Sequence, residues 1–190
     1  MDTDHIDNKL LILDIDETLL YATSKPLDRP HCFKVAHYHI YKRPHLKTFL
    51  NFCFSEFLVA IWTASTEDYA QQVINNIIDN PNELRFLWGR QRCSRKFNSE
   101  DYSYYFVKDL KKVKRKGYPL EQIIMVDDTP QKLCKQYGNL VRIAPFEGQI
   151  DDRELLDLIP YLQYLKTVEN IRKIEKRGWK RRLLQENSPV

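Results

Sequence analysis

The amino-acid sequence predicts an α/β protein: one parallel sheet, doubly wound with helices. Three observations predict it. Short apolar runs at residues 10–13 (LLIL), 57–62 (FLVAIW) and 123–126 (IIMV), with 140–143 (LVRI) as a fourth, have the character of strands buried on both faces. Amphipathic helical patterns alternate with these runs, as strand–helix–strand units require. The first three runs end at a polar reactive side chain, namely Asp14, Thr63 and Asp127.

Composition bounds the class. With 190 residues, the chain suits one domain with a full core, and 43% hydrophobic residues exclude a disordered chain. No apolar run approaches the roughly 20 residues of a membrane span, and residues 1–9 show no signal-peptide core. Four scattered cysteines without CxxC pairing favour a reducing compartment, cytoplasmic or nuclear. Cys53 and Cys134 fall in helical apolar patterns and are expected as buried thiols. The formal charge of +4 permits an acidic partner without demanding one.

Taken in order, the first run leads into DIDETL, where Asp14 and Asp16 lie two residues apart. On an extended chain both point the same way. Two carboxylates on one side repel each other unless a cation, a proton or a substrate lies between them. The plain alternative is a solvated turn with two surface acids. Residues 21–43 hold Pro26 and Pro30 in a loop, with 33–35 and 38–41 β-leaning enough for a small hairpin. Pro44 suits the first turn of a helix with Leu46, Phe49, Leu50 and Cys53 on its apolar face. After the second strand, Ser65 as N-cap and Asp68 in the capping-box position open a helix with Tyr69, Val73, Ile74, Ile77 and Ile78 facing the core.

Residues 82–107 are the least regular part, expected as a solvated loop with a few packed aromatics and with 84–88 as a candidate strand. Asp109 can cap a short helix that Gly117 ends. Thr129-Pro130 suits the N-cap and first position of another helix, stopping at Gly138. Asp151 or Asp152 opens a helix carrying Leu155, Leu156, Ile159, Leu162 and Leu165. Residues 166–190 are expected as a basic, helical C-terminal tail of the same single domain.

Ligands of open α/β sheets bind beyond the carboxyl ends of the strands. Two acidic pairs and a hydroxyl therefore converge on one crevice, with Lys108 lying between them in sequence. Such a set suits a hard cation bound through oxygens, Mg²⁺ above all, and a phosphoryl group. No glycine-rich phosphate loop is present, which counts against a P-loop nucleotide site.

DIDETL at 14–19, KRPHLKTFL at 42–50, IWTAS at 61–65, FVKDL at 106–110, IMVDDTP at 124–130 and PFEGQIDDRELLDLIPYL at 145–162 together resemble the haloacid-dehalogenase (HAD) phosphatases. More narrowly they resemble the FCP/SCP group, which acts on the C-terminal domain of RNA polymerase II. The resemblance implies a HAD-like sheet with small β insertions and no large cap domain. It makes Asp14 the nucleophile of an aspartyl-phosphate and Asp16 the acid/base that lends its carbonyl to Mg²⁺. Thr63 and Lys108 hold phosphoryl oxygens, with Ala64 and Thr18 in the same substrate-binding set; Thr18 also stabilises the nucleophile loop. Asp128 completes the metal ligands, and Asp127 orients the metal's water and Lys108. Two segments depart from the group's pattern: the one between DIDETL and KRPH is shorter, and the one between Asn80 and Lys108 is longer.

Both slots where a cap could enter, 21–43 and 81–107, are too short for an independent core. An open crevice favours a macromolecular substrate, a phosphoprotein before a nucleic-acid phosphate end, with no membrane role. Phe33, Tyr38, Tyr41, Trp88 and Tyr102 could pack groups flanking the phosphate, and Arg90, Arg92 and Arg95 could attract an acidic one. The competing readings are a small-ester phosphatase, a non-catalytic binding module on the same fold, and other HAD chemistry. Every catalytic position being filled argues against the second, and Asp16 argues against dehalogenation.

Overall fold

The computed structural model describes residues 8–100 and 102–181. Five strands, β1 (Leu10–Leu13), β5 (Leu58–Trp62), β6 (Leu87–Trp88), β9 (Ile123–Asp127) and β10 (Leu140–Arg142), form a wholly parallel sheet in the order β10-β9-β1-β5-β6. β1, β5 and β9 are buried at every position, which is why each shows as an unbroken apolar run rather than an alternating one. Successive side chains point to opposite faces. Leu11, Leu13, Val59, Ile61, Ile124 and Val126 meet one core. Leu10, Ile12, Ala60, Trp62, Ile123 and Met125 meet the other.

Helices α1 (Leu46–Glu56), α2 (Glu67–Ile77) and α4 (Glu154–Thr167) cover the first face. On α1, Leu46, Phe49, Leu50 and Cys53 are buried, as their spacing predicts. The helix starts later than expected: His45 is its N-cap in a left-handed conformation, and Pro44 belongs to the preceding turn. On α4 the buried apolar positions are Leu155, Leu158, Tyr161, Leu162 and Leu165, so Leu156 and Ile159 lie at the edge of the stripe. The second face is covered more thinly, by the one-turn helix α3 (Lys111–Lys114) and neighbouring turns. Leu110, not the expected Asp109, is the N-cap of α3; Asp109 lies one residue earlier and accepts from the Lys111 N–H at 3.1 Å.

The residues after Thr129 form no α-helix. Two short 3₁₀ turns, Pro130–Leu133 and Tyr137–Asn139, cross directly to β10. The Thr129 hydroxyl bonds Asp128 instead of capping a helix. Cys134, outside any helix stripe, is exposed rather than buried, whereas Cys53 is buried.

Both insertions are β-structure. Between β1 and α1, the expected hairpin β3 (Phe33–Val35) and β4 (Tyr38–Lys42) gains a third strand, β2 (Leu20–Thr23). Between β6 and α3, the expected loop is an antiparallel ribbon of β7 (Ser94–Asn98) and β8 (Ser103–Val107). Residues 168–178 are turns and one 3₁₀ turn, not a continuous helix. Trp179 folds back, stacks on Tyr161 at 5.5 Å and donates its indole N–H to the Arg142 carbonyl. Residues 182–190, the end of the expected tail, and residues 1–7 lie outside the described residues.

Candidate active site

The parallel register carries the acids to one edge. Leu13 pairs with both Val126 and Ile61, so the next step along each strand brings Asp14, Asp127 and Trp62-Thr63 level. The Asp14 N–H continues the ladder, donating to the Val126 carbonyl at 3.1 Å.

Beyond Asp16 the chain turns tightly, with Glu17 in the left-handed region at φ 60°. Arg43, fully buried at the end of β4, holds this turn. Its guanidinium forks onto Asp152 with two 2.8 Å bonds and donates to the carbonyls of Thr18 (3.1 Å) and Ala144 (2.9 Å). A planar bidentate fork fits carboxylate geometry, and the buried charge is satisfied on every side. The Thr18 hydroxyl itself is buried and has no hydrogen-bond partner among the described residues.

Asp14, Asp127 and Asp128 place carboxylate oxygens within 4.8 Å of one another. Lys108 is fully buried among them, its ammonium 2.6 Å from Asp127 and 3.0 Å from Asp14. A second ammonium, that of Lys132, lies 2.6 Å from Asp14, 3.4 Å from Asp127 and 3.5 Å from Asp128. Burial opposes the ionisation of Asp14, but Lys108 and Lys132 outweigh it and hold the carboxyl at about 2. At Asp127 burial and the Asp14 charge prevail over the two lysines and push the carboxyl up to about 6. Like charges this close divide the titration between them, and Asp14 is the one kept ionised.

Asp16 forms no ion pair with a lysine among the described residues and sits in a half-buried pocket, where the Lys132 charge is felt more weakly than the neighbouring hydroxyls. Its carboxylate accepts from the Tyr69 hydroxyl at 2.6 Å and the Ser65 hydroxyl at 2.7 Å. Burial raises its titration point, and the Asp14 charge adds to this; the two hydroxyls pull the other way. Two neighbouring carboxyls are thus pushed in opposite directions, the arrangement that separates a nucleophile from an acid.

Thr63 is buried, and its hydroxyl accepts from the Ser65 N–H at 3.1 Å. The Ala64 carbonyl accepts from Arg90 Nε at 2.7 Å. Arg90 lines the cleft beside Asp16, together with Tyr38, Thr66 and Tyr69. Arg92 points elsewhere, its guanidinium 5.4 Å over the Trp88 ring, and does not line that cleft.

Three contributors escape the sequence reading. Thr66, not Ser65, is the N-cap of α2, accepting from the Tyr69 N–H, which frees Ser65 for Asp16. Tyr69 has apolar helical spacing, yet its hydroxyl faces the site. Lys132 carries one signal, its place four residues after Asp128, which brings the two together across a single turn.

The donor set fits a hard divalent cation on structural grounds. It is all oxygen, and among the described residues the buried Asp128 Oδ1 accepts no hydrogen bond, only the looser 3.5 Å approach of Lys132. The parallel strand order and the acid cluster at its carboxyl edge are what the resemblance to the haloacid-dehalogenase class implies. Within that class, the NLI interacting factor-like phosphatase family matches residues 9–172, and the chain belongs to that family.

Among curated relatives, it is 34% identical over 169 residues to "CTD small phosphatase-like protein 2" of Dictyostelium discoideum, covering 85% of this chain and 28% of that protein. It is 30% identical over 175 residues to "Probable C-terminal domain small phosphatase" of the same organism, covering 88% of this chain and 54% of that one. The chain thus spans about half or less of the length of these relatives. It is 35% identical over 185 residues to "Putative CTD phosphatase-like protein 355R" of Invertebrate iridescent virus 3, covering 83% and 97% of the two chains. The solved structure of Fcp1, described as an essential RNA polymerase II CTD phosphatase, shares the fold: TM-score 0.56, 18% identity, covering 97% of this chain and 55% of that one. Among the described residues no helix is long and apolar enough to cross a membrane.

Proposed function

We propose that this protein hydrolyses phosphomonoesters through an aspartyl-phosphate, and that its substrate is a phosphoserine or phosphothreonine in a protein. One observation carries the chemistry: Asp14 is held ionised between Lys108 and Lys132, while Asp16, next but one in the chain, is pushed toward its protonated form. In the first step an Asp14 oxygen forms a bond to phosphorus as the ester bond breaks. Asp16 gives its proton to the departing alkoxide. In the second, Asp16 takes a proton from water as that water attacks the phosphorus and releases Asp14. Lys108, Thr63 and the Ala64 backbone border the space where the phosphoryl oxygens gather. Asp14 and Asp128, with the Asp16 carbonyl, would hold Mg²⁺, with Asp127 beside them. A bound divalent cation supplies positive charge to the phosphoryl oxygens.

The protein substrate is supported by the openness of the site. Among the described residues neither insertion slot holds an α-helix: one carries a three-stranded sheet, the other short turns, β6 and a two-stranded ribbon. The relatives' names point the same way. The test compares kcat/KM for phosphopeptides, 5′-phosphorylated oligonucleotides and sugar phosphates. Phosphopeptides should lead; a sugar phosphate turned over a hundredfold better than every polymer would overturn the substrate assignment. Asp14→Asn should abolish turnover of all of them while the protein stays folded by circular dichroism, and activity surviving that change or EDTA would refute the mechanism.

A further inference from the structure

The β7–β8 ribbon is the long segment that precedes Lys108, and one of its faces is an unbroken row of rings and guanidinium groups. Arg95 pairs with Phe106 and Phe97 with Tyr104 across the ribbon. Alternation puts these four side chains on one face. The row starts in the cleft beside Asp16, where Arg90 lies 5.2 Å over the Phe106 ring. It continues with Arg95, 3.6 Å over the ring of Tyr104. Phe97 then meets Tyr104 at 5.1 Å and Tyr102 at 6.3 Å. Phe97, Tyr104 and Tyr102 are 51%, 56% and 82% exposed. Single exposed rings are ordinary, but a contiguous row is the mark of a binding surface. Among the described residues neither Arg90 nor Arg95 has a carboxylate partner.

We propose that this face docks an acidic, apolar-bearing polypeptide segment of the same substrate that presents its phosphate to Asp14. The inference rests on the phosphoprotein reading above. From Phe106 to Tyr102 is four residues of strand, or about 13 Å, so the docked segment lies about four to six residues from the phosphorylated one. Its carboxylates meet Arg90 and Arg95, and its apolar side chains pack on the exposed ring edges. The ring geometry favours a polypeptide over single-stranded nucleic acid. Bases need open, parallel ring faces. Here Arg95 already covers Tyr104, and Phe97 is inclined 57° to Tyr104 and 73° to Tyr102.

The experiment uses two phosphoserine peptides that differ only at those flanking positions, one bearing Glu and Leu, the other Ser and Gly. The combined variant Arg95→Ser, Phe97→Ser, Tyr104→Ser should lose about tenfold in kcat/KM on the acidic peptide, the equivalent of one ion pair with ring contacts. Turnover of the neutral peptide and of p-nitrophenyl phosphate should stay within about twofold, which also reports that the variant is folded. Arg95→Glu should reverse the preference toward a peptide bearing Lys in place of Glu. Equal rates for the two peptides in the unaltered protein, or equal losses on both in the variant, would overturn the proposal. So would a loss confined to a 5′-phosphorylated oligonucleotide. Fluorescence anisotropy of the acidic peptide on Asp14→Asn, with and without the ribbon substitutions, separates docking from chemistry. Ribbon-dependent binding without hydrolysis by the unaltered protein supports the docking face and counts against the phosphoprotein reading alone.

Discussion

Replacing Tyr69 with Phe removes one hydroxyl and leaves the ring in place. That hydroxyl donates at 2.6 Å to Asp16 Oδ1, a bond that favours the ionised carboxylate. A hydrogen bond to a charged group contributes about 1.5–3 kcal/mol. Asp16 is only half-buried and keeps the Ser65 hydroxyl, so water recovers part of the loss and the lower end applies. One pH unit corresponds to about 1.4 kcal/mol. Removing a partner of the charged form moves the Asp16 titration upward by about one unit. In kcat/KM, which reports the steps up to the first irreversible one, Asp16 must be protonated and Asp14 ionised. Tyr69→Phe therefore moves the alkaline limb up by about one pH unit for an alkyl phosphate. The acid limb, on which Asp16 is already protonated, does not depend on the Tyr69 bond and does not move. With p-nitrophenyl phosphate, whose leaving group needs little protonation, the shift should shrink. An alkaline limb that stays fixed or moves down on the alkyl ester would refute the assignment of Asp16 as the acid.

Lys132→Met removes a cation that lies within 3.5 Å of all three clustered acids. Mg²⁺ affinity measured by calorimetric titration should rise about tenfold or more, since a unit charge at this range is felt at the kcal/mol level; weaker binding would show that Lys132 supports the ion instead. Arg43→Leu strands Asp152 and two buried carbonyls, and should cost about 3–5 kcal/mol in urea unfolding; a loss below about 1 kcal/mol would mean the fork is not what holds the nucleophile turn. Thr66→Ala removes the α2 cap and should cost about 1 kcal/mol, lowering Tm by about 2–4 °C, with little change in kcat.

The sheet was legible because its strands are buried on both faces. LLIL, LVAIW and IIMV leave no room for polar residues, and the first polar side chain after each run, Asp14, Thr63 or Asp127, marks where the apolar strand ends. The ribbon was not legible for the opposite reason. SRKFN and SYYFV are exposed on most positions, so no apolar alternation betrays a strand. Thr129-Pro130 carries a sound helix-start pattern, but Asp127 and Asp128 claim the Thr129 N–H and hydroxyl, and the chain reaches β10 in turns. Local pattern lost there to the demands of the site.

The same limit explains what was missing from the site itself. Asp14 and Asp127 lie at strand ends, where position alone announces them. Lys132 lies 118 residues from Asp14, in a turn, and only the β1–β9 pairing brings it there. Its presence changes the electrostatics of the crevice. Three clustered carboxylates face two ammonium groups, so with all of them ionised the cluster keeps one net negative charge. A phosphate dianion approaching that cluster is repelled at close range. Asp127, pushed toward its neutral form, removes part of the repulsion, but only below about pH 6. Above that pH, binding of the dianion needs one further positive charge among these oxygens. Vanadate, a phosphate mimic, should therefore bind weakly without a divalent cation at pH 8 and gain affinity on acidification toward pH 5. Metal-free affinity that is flat across that range would mean that the charge of Asp127 does not control entry to the site.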